Sequence, residues 1–284
     1  MILDGKTVAA EMRATLAREV AQAVESGRRA PRLAIVTVGN DMASCVYVRN
    51  KKKACDEIGI EVTHVAFSEG CSEAEVIECI ERLNEDRTVD GIMVQLPLPE
   101  GWDETLIINS IDIIKDVDGL TIANVGALRY GKPIYIPCTA RGVMDLLKYY
   151  NIEVEGKDVA IVGRSNIVGK PLADLFMAAG ATVTHCHSKT NNLVVHLQSA
   201  DIVVSAIGKP KYLTSKFFGP HTEVIVDVGI NRDENGKLCG DIDFTDMQHR
   251  CDYITPVPGG VGPMTVAELM QNTVESWHRQ EEEE

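Results

Sequence analysis

The sequence predicts an α/β protein of two domains, each with a parallel sheet that is covered by helices. Seven short apolar runs alternate with amphipathic stretches, and this alternation is typical of parallel strands joined by helical crossovers. The runs fall into two groups, which a loop-rich region at 112–138 separates. We expect one domain over residues 1–138, a second over 139–264 and a cleft between them, with a C-terminal helix at 265–284 that returns to the first domain.

Each strand is predicted from an apolar run of strand length, and each helix from apolar residues at helical spacing. In chain order, the predicted strands are 33–39, 61–67, 91–98, 159–163, 181–186, 201–208 and 223–230. The predicted helices are 6–26, 43–58, 72–84, 139–150, 168–179 and 265–280. The sequence DENGK at 233–237 predicts a tight turn, and therefore a short hairpin in the second domain.

Composition and charge exclude several classes of function. Lys and Arg number 28 and Asp and Glu number 42, so the net charge is −14, which argues against general attraction to nucleic acid or to anionic membranes. The N-terminal stretch has no apolar core of signal-peptide length and no run of about 18 apolar residues occurs, so we expect a cytoplasmic protein without a membrane span. The 8 cysteines form no CxxC pair, which favours reduced thiols over disulfides or a metal site.

A glycine turn, GRSNIVGKP at 163–171, separates a predicted strand from a predicted helix. It is not a Walker loop, because five residues lie between Gly163 and Gly169 and no Lys-Ser or Lys-Thr pair follows. It also lacks the second glycine of the usual dinucleotide fingerprint, since Ser165 occupies that position. A strand, a glycine turn and a helix still direct backbone N–H groups toward an anion. The alternative is a purely structural turn with Arg164 in solvent.

The end of the following strand distinguishes between the possible anions. In a NAD site, an acidic residue about 20 residues after the glycines accepts a hydrogen bond from the adenosine ribose. Here the sequence is HCHSKT, and Ser188 and Lys189, with Arg164 of the turn, offer donors and positive charge instead. These groups suit a 2′-phosphate, so we expect a Rossmann-like domain that binds NADP rather than NAD. Strand alternation would turn His185 and His187 away from Cys186, so we expect no metal there.

Two further stretches carry groups that are suited to chemistry. In SCVYVRNKKKAC, which begins with a possible helix cap at Ser44, Tyr47 and Lys51 are spaced i and i+4 and share one helix face. Crowding by the neighbouring lysines would lower the pKa of Lys51 toward neutrality, but this stretch alone favours the alternative of three solvated lysines on a surface helix. Gln95 is a lone amide in the apolar strand GIMVQLPLP, just before Pro97 ends the ladder.

Two loops complete the polar groups expected around a nicotinamide site. KDVDG at 115–119 brings two carboxylates and a glycine together, as either a turn or a hydrogen-bonding site for a ligand. TPVPGGVGPMT at 255–265 combines prolines with three glycines just before a helix, and so brings bare backbone close to a neighbour.

Together these stretches resemble the bifunctional methylenetetrahydrofolate dehydrogenase/cyclohydrolase family, often called FolD. The resemblance covers nearly the whole chain and rests on VGND.AS..YV..KKKAC.E.GI, VQLPLP, KDVDG, GRSNIVGKP, CHSKT and PGGVGPMT, in the order of the family. The departures are small: the PCTP of the family is PCTA at 137–140, and Met-Ala precedes Ser44 where Pro-Ala is common.

The resemblance implies two reactions. The 5,10-methylene carbon of tetrahydrofolate gives a hydride to NADP⁺, and water then opens the resulting methenyl cation to 10-formyltetrahydrofolate. By motif, Lys51 resembles the general acid/base of the water step, and Gln95 resembles its hydrogen-bonding partner. Tyr47 resembles the residue that stacks on the p-aminobenzoyl ring, and Asp118 resembles the one that holds the pterin edge.

The resemblance also implies the remaining contacts and the assembly. Further folate contacts match by motif at Val94, Leu96, Pro258, Gly259, Gly260, Val261 and Gly262. NADP contacts match at Gly163, Arg164, Ser165, Gly169, Ser188, Ile230, Thr139 and Thr265. Members of the family are commonly homodimers, so we expect a homodimer in one-carbon metabolism with no nucleic-acid or membrane partner.

Four other interpretations stay open at this point. One is a monofunctional dehydrogenase of the same family. A NADP oxidoreductase similar to shikimate dehydrogenase would share the two-domain layout, but it leaves VQLPLP and PGGVGPMT unexplained. A catalytically silent folate- or nucleotide-binding subunit would not require Tyr47, Lys51, Gln95 and Asp118 together. A nucleic-acid role for the KKK run is opposed by the net charge of −14.

Overall fold

In the computed structural model, three strands and five strands form two separate parallel sheets. The structure describes residues 1–282, without the side chains of residues 42, 43, 281 and 282. The Met-Ala departure at 42–43 and the end of the predicted helix at 283–284 therefore lie outside the described residues. Within residues 1–282, no helix has the length and apolar character that crossing a membrane requires.

The strands follow the predicted order, and most begin and end within about two residues of the prediction. In chain order they are β1 Arg32–Val38, β2 Glu61–Phe67, β3 Gly91–Val94, β4 Asp158–Val162, β5 Thr182–Cys186, β6 Ile202–Ser205, β7 Val224–Asp227, β8 Asn231–Arg232, β9 Leu238–Cys239 and β10 Tyr253–Ile254. The strand predicted over 91–98 ends at Val94, so Gln95 lies just past the ladder. The hairpin predicted at 233–237 is confirmed, because β8 and β9 pair antiparallel on either side of it.

The predicted helices are present, and four further short ones lie in segments where none was predicted. The helices are α1 Gly5–Glu25, α2 Met42–Ile58, α3 Glu73–Glu85, α4 Glu104–Asn109, α5 Ile122–Arg129, α6 Cys138–Tyr149, α7 Gly169–Ala178, α8 Leu193–Gln198, α9 Phe244–Met247 and α10 Val261–Glu282. The region 112–138, predicted as loop-rich, contains the short helix α5, which was not predicted. Helix α10 begins four residues before the predicted start at 265.

The smaller sheet has the order β2-β1-β3, and both faces are buried at β3 and along most of β1. Along β1, Leu33 and Ile35 belong to one apolar cluster, and Ala34 and Val36 belong to another. This is the alternation that a strand imposes on successive side chains. The first cluster includes α10 residues such as Trp277, and the second is closed by α3 and the segment around α4. Two covered faces explain why the buried parts of β1 and β3 are apolar.

The larger sheet has the order β10-β7-β6-β4-β5, with every pair parallel. From β4 the chain adds β5 on one side and then adds β6, β7 and β10 on the other. The strand order therefore reverses at β4 and β6. In open parallel sheets, ligands bind beyond the carboxyl ends of the strands at such a reversal.

The chain divides into two units with separate sheets. The first unit is Ala10–Cys138 together with the part of α10 from Val266. The second unit is Met1–Ala9 together with Thr139–Thr265. The first nine residues, expected in the first domain, group with the second unit because Leu3 N–H donates to the Ile254 carbonyl at 2.9 Å.

Candidate active site

Helix α2 carries the two residues of the first unit that the sequence places on one helix face. The helix is capped by Asp41, whose carboxylate accepts from the Ser44 backbone N–H at 2.7 Å, and it ends at Gly59 in the left-handed region with φ 91°. The prediction of Ser44 as the cap is therefore wrong, and Ser44 lies inside the first turn. Tyr47 and Lys51 are both partly buried on this helix.

The Lys51 ammonium group contacts two side chains from the end of β3. Its Nζ donates to Gln95 Oε1 at 3.0 Å and lies 3.4 Å from Met93 Sδ. Sequence reasoning missed Met93, although residues two apart on a strand face the same side, so its spacing from Gln95 was a usable signal. Lys51 is thus held at the carboxyl end of the smaller sheet.

Burial lowers the pKa of Lys51, and the negative charge of Asp118 opposes that shift. The interpretation of three solvated lysines is therefore wrong for Lys51, and crowding by Lys52 and Lys53 gives the right direction but the wrong cause. Lys52 instead contacts His64 Nδ1 at 2.8 Å, and Lys53 faces Glu57 at 3.9 Å from an exposed position. The cause is therefore removal of the amine from water, which disfavours its charged form.

Gln95 is oriented by a second hydrogen bond. Its Nε2 donates to the Leu96 carbonyl at 2.7 Å, and a carbonyl can only accept, so Oε1 is the atom that faces Lys51. The Gln95 backbone N–H donates to the Val36 carbonyl at 2.9 Å, which fixes the residue to β1. Of its predicted folate-binding neighbours, Leu96 is partly buried, whereas the Val94 side chain lies in the core and leaves only its backbone for a ligand.

In the KDVDG loop, two charged side chains stabilise the fold and a third is available to a ligand. Lys115 is buried and its Nζ donates to three carbonyls at the end of α3, at 2.7–3.1 Å. Asp116 is fully buried and accepts from the Thr121 N–H at 2.9 Å and from Asn124 Nδ2 at 2.8 Å. Gly119 has φ +72°, and a Cβ there would lie 2.8 Å from the Pro137 nitrogen. Asp118 is the partly buried acid that remains for a ligand.

Asp118 has a neighbour that sequence reasoning did not assign a role. The buried thiol of Cys138 interacts with the Asp118 carboxylate, and its Sγ lies 3.3 Å from the Val117 carbonyl. Burial raises the pKa of Cys138 well above its usual range, so the thiol stays protonated and can donate. Asn272 Nδ2 donates to the same Val117 carbonyl at 2.8 Å. Lys51, Gln95 and Asp118 thus form one polar group in the first unit.

In the second unit, the glycine turn connects β4 to α7 at the reversal of the larger sheet. A Cβ on Gly163 would lie 2.2 Å from the Ala206 carbonyl oxygen, just past β6, and the residue has φ +124°. A Cβ on Gly169 would lie 2.0 Å from the Gly163 carbonyl oxygen. Both glycines are therefore required by the close approach of backbone carbonyl groups.

Ser165 organises the turn from within. Its Oγ accepts from the backbone N–H groups of Val168 at 3.2 Å and Gly169 at 3.4 Å, so only its own hydroxyl proton can be directed at a ligand. Arg164 and Ser165 are exposed. Lys170 Nζ donates to Asn166 Oδ1 at 2.6 Å and adds a further cation to the turn.

The segment after β5 lies beside this turn, because the Gly163 N–H donates to the Cys186 carbonyl at 2.9 Å. His187 Nδ1 accepts from the Lys189 N–H at 3.1 Å, which fixes a tight turn with Ser188 exposed on it. His185 Nε2 lies 2.7 Å from the Gly163 carbonyl, so this histidine supports the glycine turn. In the described part of the chain, no group of three or more His, Cys, Asp and Glu side chains is arranged to hold a metal ion.

The remaining predicted residues also lie in the second unit. In the segment Pro258–Gly262, Gly259 has φ +115° and its carbonyl accepts from the Lys6 N–H at 3.1 Å. Thr139 and Thr265 are far apart in sequence, yet their Oγ1 atoms are 3.2 Å apart. Ile230 is 45% exposed and approaches Gly262, so its side chain is available to a ligand.

Two family models match the chain. The tetrahydrofolate dehydrogenase/cyclohydrolase catalytic domain matches residues 3–118, and the NAD(P)-binding domain of the same family matches residues 137–281. The first match contains Lys51, Gln95 and Asp118, and the second contains the glycine turn.

Known proteins are similar over nearly the full length. A protein of Agathobacter rectalis named bifunctional protein FolD is 47% identical over 278 residues, which is 98% of this chain and 99% of that protein. The structure of a bifunctional FolD enzyme from Campylobacter jejuni has a TM-score of 0.94 at 44% identity, covering 98% of this chain and 99% of that one. The Trypanosoma brucei FolD structure, complexed with NADP cofactor and inhibitor, has a TM-score of 0.93 at 37% identity, covering 98% and 97% of the two chains.

Proposed function

The chain belongs to the tetrahydrofolate dehydrogenase/cyclohydrolase family, and we propose that Lys51, Gln95 and Asp118 carry its chemistry in the first unit. The enzyme oxidises 5,10-methylenetetrahydrofolate with NADP⁺ and hydrolyses the methenyl product to 10-formyltetrahydrofolate. Neither a monofunctional dehydrogenase nor a shikimate-type oxidoreductase is favoured, since the relatives are named as bifunctional. The observation that carries the residue assignment is the 3.0 Å contact from Lys51 Nζ to Gln95 Oε1.

Lys51 is the general base of the hydrolysis. Burial lowers its pKa, which increases the fraction of neutral amine that can take a proton from water. As the water oxygen bonds to the methenyl carbon, the amine receives the water proton. The resulting ammonium then returns a proton to N5 of the folate as the carbon–N5 bond breaks. The amine, neutral again, takes the remaining hydroxyl proton as the formyl C=O bond forms and passes it to solvent, and 10-formyltetrahydrofolate is released. Gln95 accepts from Nζ throughout and fixes the direction of the amine.

A neutral Lys51 also suits the oxidation. Loss of hydride leaves a positive charge over N5, the carbon and N10, and an ammonium group beside it would oppose that charge. The same burial that produces a base thus avoids repulsion in the first step. Asp118 can accept two donors from the pterin edge, a bidentate pairing that gives orientation as well as affinity. Tyr47 stacks on the p-aminobenzoyl ring.

The groups of the second unit fit a dinucleotide with a 2′-phosphate. The glycine turn leads directly into the N-terminus of α7, where the positive end of the helix dipole favours a pyrophosphate. Exposed Arg164 and Ser188 can hold the 2′-phosphate, since no acidic residue lies in the segment 186–190. Bound there, NADP⁺ accepts the hydride. Ser165, Ile230, Thr139 and Thr265 complete the contacts with the cofactor.

The two units thus divide the ligands between them. We assign proton transfer and the contacts to the pterin and p-aminobenzoyl groups to the first unit, and NADP to the second. The segment Pro258–Gly262 lies along the folate, which the bare backbone at Gly259 and Gly260 supports. Val94 and Leu96 contribute backbone contacts to the folate.

We further propose a homodimer that works in the cytoplasm. Strand β2 is an edge of the smaller sheet with alternating exposed residues, and edge strands are ready sites for pairing between chains. Light scattering after size exclusion should give twice the chain mass, and the mass of a single chain would contradict the dimer. A cytoplasmic location is supported by the cysteines, none of which forms a disulfide within the described residues.

Replacing the base tests the assignment. Lys51→Met should lower the rate of methenyltetrahydrofolate hydrolysis by about 10²- to 10⁴-fold, the usual contribution of a positioned acid/base. Lys52→Met is the matched control, because Lys52 is the next residue but contacts His64 instead. Hydrolysis of the methenyl compound, followed by loss of its absorbance, is measured for both variants. An unchanged rate in Lys51→Met would remove Lys51 from the mechanism.

A further inference from the structure

Two buried aspartates in the second unit have no role in the chemistry described so far. Asp227 ends β7 and is 4% exposed, and Asp241 follows β9 and is fully buried. Buried carboxylates are costly unless several donors address them. The donors that surround these two acids therefore indicate what the pair holds in place.

Asp241 joins two chain segments beyond the ends of neighbouring strands. Its Oδ2 accepts from Ser205 Oγ at 3.0 Å and from the Ile207 N–H at 2.8 Å. Its Oδ1 accepts from the Lys209 N–H at 2.8 Å and from Asn231 Nδ2 at 2.9 Å. Three of these donors belong to the segment that leaves β6, and the fourth belongs to the segment after β7. One carboxylate thus ties these two segments together.

Asp227 in turn holds Asp241. Its Oδ1 accepts from the backbone N–H groups of Gly229 and Asp241, both at 3.0 Å, and its Oδ2 accepts from that of Ile242 at 2.8 Å. Burial raises the pKa of Asp227 to about 7 against these donors, and the charge of Asp241 adds to the rise. A proton on Asp227 would therefore reduce repulsion between the two acids.

The backbone around the pair is shaped to the carboxylates. A Cβ on Gly229 would lie 2.3 Å from Asp241 Cγ, and a Cβ on Gly240 would lie 1.9 Å from Asp227 Oδ2. No side chain larger than hydrogen fits at either position without moving an acid. Such close fit fixes the path of the chain on both sides of Ile230.

The segments that Asp241 holds form the wall next to the glycine turn. Ala206 is the residue whose carbonyl Gly163 approaches, and it lies between two Asp241 partners, Ser205 and Ile207. Ile230 lies between Gly229 and Asn231. The glycine turn marks the pyrophosphate and the end of β5 marks the adenosine, so the nicotinamide half extends over the ends of β6 and β7.

We propose that Asp241, held by Asp227, is a positioning residue that fixes the β6 and β7 end segments against the nicotinamide half of NADP⁺. This inference rests on the proposed function. It assigns no contact between either acid and the cofactor, because both are buried beneath the segments that they hold. The adenosine half, which meets the turn and the end of β5, should not depend on Asp241.

Asp241→Asn tests the proposal. An amide has the shape of the carboxylate but presents an NH₂ group to at least one of the four donors, so the two segments lose a common anchor. We expect kcat/KM for NADP⁺ reduction to fall at least 10-fold, while the Kd for 2′,5′-ADP and the rate of methenyltetrahydrofolate hydrolysis stay within 3-fold of the wild type. Titration calorimetry with 2′,5′-ADP measures the adenosine half separately. Asp233→Asn, an acid-to-amide change on the exposed hairpin, should leave all three values unchanged.

Two results would overturn the proposal. NADP⁺ reduction within 3-fold of the wild type would show that Asp241 positions nothing. Loss of 2′,5′-ADP binding in parallel with reduction would show that it only maintains the fold. Asn231→Ala, which removes a single donor, decides the question if Asp241→Asn does not fold: it should lower reduction at least 3-fold with 2′,5′-ADP binding intact, and no change would refute the inference. Absence of NADP⁺ reduction in the wild type would overturn the proposed function itself.

Discussion

At the scale of single residues, Lys51 combines a lowered pKa with a fixed direction. Burial supplies the first property and the Gln95 amide supplies the second. A neutral partner is important here, because an amide holds the amine without stabilising its charged form. The negative charge of Asp118 already raises the pKa of Lys51 in part. Another anion at hydrogen-bonding distance would shift the balance toward the ammonium form.

Gln95→Glu should therefore raise the pKa of Lys51 by about 1 unit or more, since an opposite charge at this distance favours the ammonium form. Below that pKa the base is protonated, so the rising limb of the pH–rate profile for hydrolysis should move to higher pH. The profile is measured with methenyltetrahydrofolate, beside Gln22→Glu, which adds the same charge at an exposed position of α1. An unshifted limb in Gln95→Glu would contradict the base role.

Arg164 is the residue on which the preference for NADP depends most directly. Removing a charge-assisted hydrogen bond to a phosphate costs about 1.5–3 kcal/mol, so Arg164→Ala should raise the KM for NADP⁺ about 10- to 100-fold. The KM for methylenetetrahydrofolate should change little. Steady-state kinetics compare it with Arg250→Ala, an exposed arginine of the same unit. Equal increases in both KM values would refute the 2′-phosphate assignment.

At the scale of elements, the glycine turn depends on contact between β4 and β6. Gly163 has both a positive φ and a Cβ direction that is blocked by the Ala206 carbonyl. The sequence predicted a phosphate turn from two glycines and a helix, but it could not reveal that the second glycine packs on the first. That contact holds the two ends of the turn against each other.

Gly163→Ala should lower the midpoint of thermal unfolding and abolish measurable NADP⁺ binding. Gly236→Ala is the matched control, because Gly236 has φ +75° but no atom within 4 Å of the added Cβ. A positive φ alone costs about 1–3 kcal/mol in both variants. The difference between their unfolding midpoints therefore reflects the clash of the new Cβ with the Ala206 carbonyl. Calorimetry and NADP⁺ titration provide both values. Equal unfolding shifts with retained NADP⁺ affinity would show that the turn tolerates a side chain.

The elements that the sequence predicted are those with a strong pattern. Strands buried on both faces are apolar along their length, so each was found, although β3, β6 and β7 end three or four residues before the predicted end. Helix α5, IANVGALR, was missed because it is short, contains Gly126 and has no clear apolar face. Helix α10 begins earlier than predicted because its first turn, VGPM, contains glycine and proline, which are typical of a loop.

The site could be predicted in part, for a similar reason. Spacing on a helix predicted that Tyr47 and Lys51 share a face, and motif resemblance assigned their roles. Burial is a tertiary property, so the cause of the Lys51 shift and the contact with Met93 appeared only in the structure. The division of KDVDG into a structural Asp116 and an available Asp118 likewise depends on which donors the fold brings to each acid.

At the scale of the whole molecule, the cations for the cofactor are local, and the two reactions depend on different units. The net charge is −14, so a cofactor with several phosphates needs local cations, and the glycine turn and the end of β5 provide Arg164, Lys170 and Lys189. Proton transfer depends on the first unit, whereas hydride transfer also needs the cofactor of the second. Changes in the second unit should therefore lower the rate of NADP⁺ reduction without lowering the rate of methenyltetrahydrofolate hydrolysis.

The most direct test of this account is an absorbance time course on the purified protein. With 5,10-methylenetetrahydrofolate, reduced cofactor should form rapidly with NADP⁺ and much more slowly with NAD⁺, and the enzyme should accelerate the decay of added methenyltetrahydrofolate. Cofactor reduction without accelerated decay would contradict the role of Lys51 in hydrolysis. Equal rates with the two cofactors would contradict the 2′-phosphate site, and the absence of both signals would contradict the bifunctional assignment.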